Sequence, residues 1–347
     1  MKAYKILGIA GAVVFIILGF FAVINFSTNS HDKYPLSSGT ASSNGAMNPV
    51  EERNKWAGLI DKFGPEYAYA EFKKEYAPTH FGIQHAAAHL VGELLYDKLG
   101  VDGVTVCDST FAFGCYHSFF GKALAVNGLS IIKKLDEACI QAYGPLGTGC
   151  THGIGHGLVE YFGHQQLIKA LEACTLTTQV KKLFGCTSGV FMEYNVPIVF
   201  DGPTAKTEIR ELNAANPHEP CNTIVPEKFR ESCYYEMGQW WDKVFNKDYK
   251  HIGLLCEEAQ SEYREPCYLG IGNVAAPSNE YNVQETINTC LLMPNEDAKL
   301  LCRAGASWSF FAVPEQRQLS PKLCEGLVSA ETHRCAQKAD LIGVGRT

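Results

Sequence analysis

The sequence predicts an all-α fold: an α/α solenoid-like array of about eight two-helix repeat units, stapled by sequential disulfides, after an N-terminal transmembrane helix. Three observations support this prediction. Cysteines recur in pairs with a nearly constant period, and apolar residues recur at helical spacing. The alternation of apolar and polar residues that is typical of strands is not sustained anywhere. Such units bury a continuous core only by stacking on their neighbours.

The chain divides into four predicted segments. Residues 1–5 form a cytoplasmic tip, and residues 6–26 form a transmembrane signal-anchor helix. Residues 27–49 are rich in Ser, Thr, Asn and Gly, a composition typical of a flexible linker. Residues 50–347 form one extracytoplasmic, disulfide-rich domain of helical repeats.

The predicted anchor rests on length and on charge placement. Ile6 to Ile24 is an uncharged run of 19 residues, which is long enough to cross a bilayer as a helix. Lys2 and Lys5 precede the run and no lysine follows closely, so the N-terminus is expected in the cytoplasm. A cleaved signal peptide is the alternative, and it also sends the remaining chain across the membrane.

The composition excludes several common classes of protein. The net charge is −7 and no basic stripe with interleaved aromatic residues is present, which argues against a nucleic-acid partner. The sequence lacks a phosphate-binding P-loop, a dinucleotide-binding glycine motif after a strand, and a G-x-S-x-G nucleophile motif. The partners left by these exclusions are the membrane, through the N-terminal helix, and a protein or envelope polymer.

The cysteines predict the architecture. All 14 cysteines follow the anchor and fall into seven consecutive pairs. The second cysteines of successive pairs lie 33 to 36 residues apart, except for one interval of 47 that contains the inserted segment 197–220. An even count, regular spacing and an exported location favour disulfides, and the absence of C-x-x-C argues against zinc or an iron–sulfur cluster. The predicted disulfides, in chain order, are Cys107 with Cys115, Cys139 with Cys150, Cys174 with Cys186, Cys221 with Cys233, Cys256 with Cys267, Cys290 with Cys302, and Cys324 with Cys335.

Each repeat reads as a helix, a turn and a second helix that carries the second cysteine. Helices are predicted over 166–174 and 181–194, and again over 283–290 and 297–311. Glycine recurs three and five residues after the second cysteine, although it costs about 1 kcal/mol in a helix. We therefore expect close helix–helix approach at these glycines. Ile83 takes the place of the cysteine in a first unit that lacks a disulfide.

Histidines concentrate in the first three units. They stand two and six residues after the second cysteine or its equivalent, and glutamates stand four residues after the second histidine of two units. Residues four apart share one face of a helix, so these side chains are expected to converge on one inner surface. Gly121 replaces a histidine in the second unit and is expected to leave room for an ion or a ligand. The predicted metal ligands are His85, His89, His117, His152, His156, Glu93 and Glu160.

Two functions remain open from the sequence. The first is a membrane-anchored metalloprotein that binds a transition metal such as Zn, Cu or Fe, with enzymatic activity undecided because no Ser or Cys nucleophile is paired with a base. The second is a structural or binding solenoid that recognises a protein or an envelope polymer on its concave face, without metal. The confinement of histidines to three units favours the first, because a scaffold is expected to spread its recognition residues over all units.

Overall fold

The structure is a computed structural model. It describes residues 48–79, 81–111, 113–144, 148–178, 183–199, 210, 214–313 and 315–342. The predicted tip and anchor, and the linker as far as residue 47, lie outside these residues. Within them, no helix combines the length and the hydropathy that crossing a bilayer requires.

The fold of the described residues is all-α, as the sequence predicts, and they contain no strand. They form fourteen α-helices: α1 (Pro49–Phe63), α2 (Pro65–Tyr76), α3 (Phe81–Leu99), α4 (Gly114–Asn127), α5 (Ile132–Tyr143), α6 (Thr148–Phe162), α7 (Leu167–Ala173), α8 (Cys186–Val199), α9 (Arg230–Val244), α10 (Tyr249–Glu258), α11 (Ser261–Ser278), α12 (Val283–Cys290), α13 (Glu296–Ala312) and α14 (Ser329–Ile342).

Seven of these helices form a row at the centre of the fold. In the order α3, α4, α6, α8, α9, α11 and α13, each helix packs against the next, and α14 packs on α13. The predicted close approach at glycine is confirmed. A Cβ atom on Gly270 would overlap the carbonyl oxygen of Tyr235 on α9, and one on Gly305 would overlap that of Leu269 on α11. Backbones this close leave no room for a larger residue at these positions.

All fourteen cysteines are paired, and the predicted sequential order is confirmed. The seven disulfides join Cys107 with Cys115, Cys139 with Cys150, Cys174 with Cys186, Cys221 with Cys233, Cys256 with Cys267, Cys290 with Cys302, and Cys324 with Cys335.

Each disulfide joins a helix of the central row, or α14 after it, to the segment that precedes it. The sequence separations are 8 to 12 residues, and the paired Cα atoms lie 5.4–5.8 Å apart. Closing a loop of this size removes about 3 kcal/mol of chain entropy from the unfolded state. The second cysteine lies within the first four residues of α4, α6, α8 and α9, and about two turns into α11, α13 and α14, so each disulfide ties the first half of its helix to the preceding segment.

Among the seven disulfide-bonded units, the first member is an α-helix in four. Helices α5, α7, α10 and α12 occupy this place, and α12 has the ends that the sequence predicts. In two other units the place is taken by 3₁₀ helices, Gly100–Thr105 and Arg317–Leu323. Pro321 lies inside the second of these and lacks the N–H that an α-helix needs. Turns precede Cys221 in the remaining disulfide-bonded unit.

The N-terminal end of the row is covered by α1 and α2, which both contact α3. The side chain of Asn48 caps α1 by accepting hydrogen bonds from two backbone N–H groups of its first turn. Helix α1 therefore begins at Pro49, one residue before the predicted start of the domain. Trp56 and Phe72 pack edge to face between α1 and α2, with ring centroids 5.3 Å apart.

The row of helices curls back on itself. Ser109 Oγ, just before α4, donates a hydrogen bond to the carbonyl oxygen of Ala312 at the end of α13, at 3.3 Å. The rings of Phe184 and Trp308 meet edge to face with centroids 5.5 Å apart. An early unit and a late unit therefore meet on the inner side of the curl, where both aromatic side chains are buried.

Candidate metal centre

Three neighbouring helices carry the five predicted histidine ligands. His85 and His89 lie one turn apart on α3, His117 lies on α4, and His152 and His156 lie one turn apart on α6. Because α3, α4 and α6 pack in this order, equivalent positions of successive units meet. A Cβ atom on Gly92 would overlap the carbonyl oxygen of Cys115, so α3 and α4 are in backbone contact at this point.

The five imidazole rings form one continuous cluster. Within the first group, the ring centroids are 4.6 Å apart for His85 and His89, 5.1 Å for His85 and His117, and 5.5 Å for His89 and His117. His117 also stacks on His156 at 3.7 Å, and His156 lies 4.8 Å from His152. The structure therefore brings all five predicted histidines together, with His117 between the two pairs.

Ring nitrogens of the first group lie close to one another. His85 Nδ1 donates to the carbonyl oxygen of Phe111 at 2.9 Å, which leaves a lone pair on His85 Nε2. That nitrogen lies 3.0 Å from His89 Nε2. His117 is 3% exposed, and its Nε2 has no hydrogen-bond partner among the described residues. One ligand nitrogen of each of the three histidines lies within 4.8 Å of the others.

The second group is completed by α8, a helix to which the sequence assigned no ligand. His156 Nδ1 bonds Glu193 Oε2 at 2.7 Å, and His152 Nδ1 bonds Ser188 Oγ at 2.8 Å. His152 Nε2 lies 3.0 Å from His156 Nε2 and 3.2 Å from Met192 Sδ. His117, His156 and Glu193 form a second group of ligand atoms within 4.8 Å of one another.

Glycines set the spacing between α6 and α8. A Cβ atom on Gly155 would overlap the carbonyl oxygen of Cys186, and one on Gly189 would overlap that of His152. The two helices therefore touch through their backbones, which lets the short side chain of Ser188 reach His152. The ring of Phe184 stacks on the other side of His152, with centroids 4.3 Å apart and planes 11° apart.

The two predicted carboxylate ligands are not gathered into either group of ligand atoms. Glu93 instead forms an ion pair with Arg53 on α1, at 3.1 Å. Glu160 directs its carboxylate at Gly121, where a Cβ atom would overlap it. The room expected beside Gly121 is therefore filled by Glu160, because that glycine accommodates a long side chain from the neighbouring helix. The acidic member of the cluster is Glu193.

Burial keeps the imidazoles uncharged. It lowers the pKa of His85, and it lowers the pKa of His89, His117 and His152 well below the ordinary value, with neighbouring histidines adding to the effect in the last three. Burial lowers the pKa of His156 to about 3 and raises that of Glu193. Neutral imidazole is the form that can ligate a metal ion, and burial favours this form of the five side chains at neutral pH.

His164 also contacts the site, outside the repeat positions. Its Nε2 donates to the backbone carbonyl oxygen of Glu193 at 3.2 Å. This bond supports the turn of α8 that carries the carboxylate.

Comparison of the chain with known protein families, with curated proteins and with solved structures finds no match. The function is therefore argued from the geometry of the cluster alone.

Proposed function

We propose that the chain is a membrane-anchored, extracytoplasmic metalloprotein, built as a solenoid of about eight disulfide-stapled units, that binds a transition-metal ion through His85, His89 and His117. One observation carries the proposal: His117, whose buried Nε2 has no hydrogen-bond partner among the described residues, contributes one ring nitrogen to a group of ligand atoms with His85 and His89. A buried polar atom without a partner costs about 1–3 kcal/mol, and coordination of an ion would remove this cost.

The separation of the His85 and His89 nitrogens suits a first-row transition metal. Two imidazole nitrogens that each lie ~2.0–2.1 Å from a tetrahedral ion are separated by ~3.3 Å. The Nε2 atoms of His85 and His89 are 3.0 Å apart. Imidazole ligands favour Zn, Cu, Fe or Ni, whereas Mg and Ca favour carboxylate and carbonyl oxygens, so we expect the bound ion to be Zn, Cu or Fe.

Three protein ligands leave a further position on the ion. This is the arrangement of catalytic zinc sites, in which a water or a substrate completes the coordination. His85 and His89 are half-buried, whereas His117 is buried. Activity assays should therefore first test whether the chain is a metalloenzyme that acts on a small molecule.

The metal-free scaffold is less well supported by the inner surface. Beside the histidine units this surface is closed by the buried rings of Phe184 and Trp308, and His152 and His156 are themselves buried. A protein or polymer that used the concave face would need exposed side chains there.

Elemental analysis of the full-length chain, purified without added metal and then loaded with Zn²⁺ or Co²⁺, tests the proposal. Wild type should retain metal after desalting, and His117→Ala should lose it while circular dichroism stays unchanged, because the disulfides hold the units together. His333→Ala, at an exposed position on α14, is the matched control and should retain the metal. Wild type without bound metal, or equal binding by His117→Ala, would reject this function.

A further inference from the structure

Three candidate ligand atoms, two imidazole nitrogens and one thioether sulfur, lie beside the proposed site, on α6 and α8. His152 Nε2 lies 3.0 Å from His156 Nε2 and 3.2 Å from the thioether sulfur of Met192. Met192 is only partly buried, and the two histidines are buried. Two imidazole nitrogens and one sulfur therefore surround a single small region of the structure.

The second ring nitrogen of His156, Nδ1, has a hydrogen-bond partner on α8. Glu193 Oε2 accepts a hydrogen bond from His156 Nδ1 at 2.7 Å, which leaves a lone pair on His156 Nε2. In the metal-free state the hydrogen on His152 Nε2 can bond this lone pair. That hydrogen then has two acceptors within reach, the Nε2 of His156 and the sulfur of Met192.

The surroundings of His152 also permit the tautomer that a metal ligand needs. Ser188 Oγ lies 2.8 Å from His152 Nδ1 and can accept its hydrogen, because its own hydroxyl can donate to the carbonyl oxygen of Gly185 at 3.2 Å. With the hydrogen on Nδ1, His152 Nε2 has a free lone pair and lies 3.0 Å from His156 Nε2 and 3.2 Å from the Met192 sulfur. Metal-binding histidines are commonly held in this way, by an acceptor on the second ring nitrogen.

The character of the three atoms selects the ion. Thioether sulfur is a soft ligand that favours Cu(I), and imidazole is a good copper ligand. All three ligands are neutral, so the charge of the ion is not cancelled by the atoms that bind it. Placing a monovalent ion in such a buried site costs less desolvation free energy than placing a divalent one.

We infer that His152 Nε2, His156 Nε2 and Met192 Sδ form a copper(I) site on α6 and α8, next to the His85, His89 and His117 group. The inference deepens the proposed metal-binding function, on which it rests, by adding a sulfur ligand and a preferred ion. It also accounts for Met192, which stands at the repeat position that His89 and His156 occupy in their units.

Competition with a copper(I)-specific chelator tests the inference. The full-length chain is titrated anaerobically with Cu(I) as its acetonitrile complex and bicinchoninate, with no thiol present, so that the seven disulfides stay intact. Met192→Leu should weaken Cu(I) binding by at least about tenfold, since even the loss of an outer-shell partner costs about 10–100-fold in metal affinity. Met293→Leu is the matched control, because Met293 is buried near α10, against Gly253, and should have no effect.

X-ray absorption on the wild-type copper complex gives a second readout that needs no variant. A sulfur scatterer in the copper shell is expected, and it must come from a methionine because all cysteines are paired. A shell of nitrogen and oxygen only, or equal Cu(I) affinity in Met192→Leu and wild type, would overturn the inference.

The two proposals fail in different ways. If Co²⁺ binds and depends on His117 while Cu(I) binding is independent of Met192, the copper(I) site is wrong and the first site stands. If neither ion binds, both are wrong. Met192→Leu is expected to leave Co²⁺ binding unchanged.

Discussion

The ring of His117 on α4 stacks on the ring of His156 on α6, with centroids 3.7 Å apart and planes inclined by 22°. Two charged imidazolium rings would repel at this separation, so the contact requires at least one ring to be neutral. His117 thereby joins two groups of ligand atoms, one with His85 and His89 and one with His156 and Glu193. The register of the repeats produces this contact, because both residues belong to the same face of successive helices.

The first prediction concerns the approach of α6 and α8. Gly189→Ala should lower the free energy of unfolding by about 1–3 kcal/mol, because the added methyl group overlaps the carbonyl oxygen of His152 and forces the helices apart. Urea unfolding measures this change. Gly58→Ala is the control: nothing lies within 4 Å of its Cβ position, and removing a glycine from a helix should stabilise the fold by about 0.4–1 kcal/mol. Equal effects of the two variants would refute close packing at Gly189.

The second prediction concerns Glu236, a carboxyl group on α9 that is 1% exposed. Burial raises its pKa to about 8, although the hydrogen bond from Gln239 acts to lower it. The folded state therefore holds a proton that the unfolded chain loses near pH 4.5. This contribution to stability is fully present below pH ~4.5 and is lost as the pH rises to ~8, at about 1.4 kcal/mol per pH unit.

Glu236→Gln should remove this part of the pH dependence, since the amide carries no titrating proton. Urea unfolding between pH 5 and pH 8 is the measurement, and Glu285→Gln, at an exposed position on α12, is the control that should keep the wild-type slope. A Glu236→Gln variant with the wild-type slope would show that Glu236 is ionised in the folded protein at neutral pH.

The parts of the fold and of the site that could be predicted are those that follow from local patterns in the sequence. The period of the cysteine pairs and the helical spacing of apolar residues are local patterns, and they predict the seven disulfides and the ends of α12. The register of the repeats predicts that His85, His117 and His152 meet. These predictions require only that equivalent positions of successive repeat units pack against one another.

Contacts that break the register could not be predicted in the same way. Glu193 stands seven residues after Cys186, a position at which no other unit carries an acidic residue, and only the close approach of α6 and α8 brings it to His156. The bond between Ser109 and Ala312 joins residues 203 positions apart through the curl of the row, which no local pattern encodes. Glu93 and Glu160 occupy the repeat position that the pattern predicts for a ligand. In the structure, however, the carboxylate of Glu93 pairs with Arg53 and that of Glu160 lies beside Gly121.

The third prediction is the pH at which metal is released. An unperturbed imidazole protonates near pH 6.5 and then stops ligating. Burial lowers the pKa of His85, His89 and His117, so protons compete for these nitrogens only in more acidic solution. Half of the bound Zn²⁺ should therefore be released below pH 6.5, as measured by elemental analysis after equilibration at each pH. Release with a midpoint above pH 6.5 would indicate exposed ligands elsewhere on the chain.

The fourth prediction is topological. Protease added outside intact cells should release a soluble fragment by cutting within the linker that the sequence predicts over 27–49. Immunoblotting of medium and cells follows the fragment, and permeabilised cells show that the protease can cut. Protection in intact cells together with cleavage after permeabilisation would place the domain on the other side of the membrane.

The most direct test of the metal centre is an anomalous-scattering map from crystals of the full-length chain, grown with Zn²⁺ and recorded on both sides of the zinc absorption edge. The account predicts a peak ~2.0–2.2 Å from one ring nitrogen each of His85, His89 and His117. A map without a peak among these three rings, or with zinc only at surface residues such as Glu258, would contradict it.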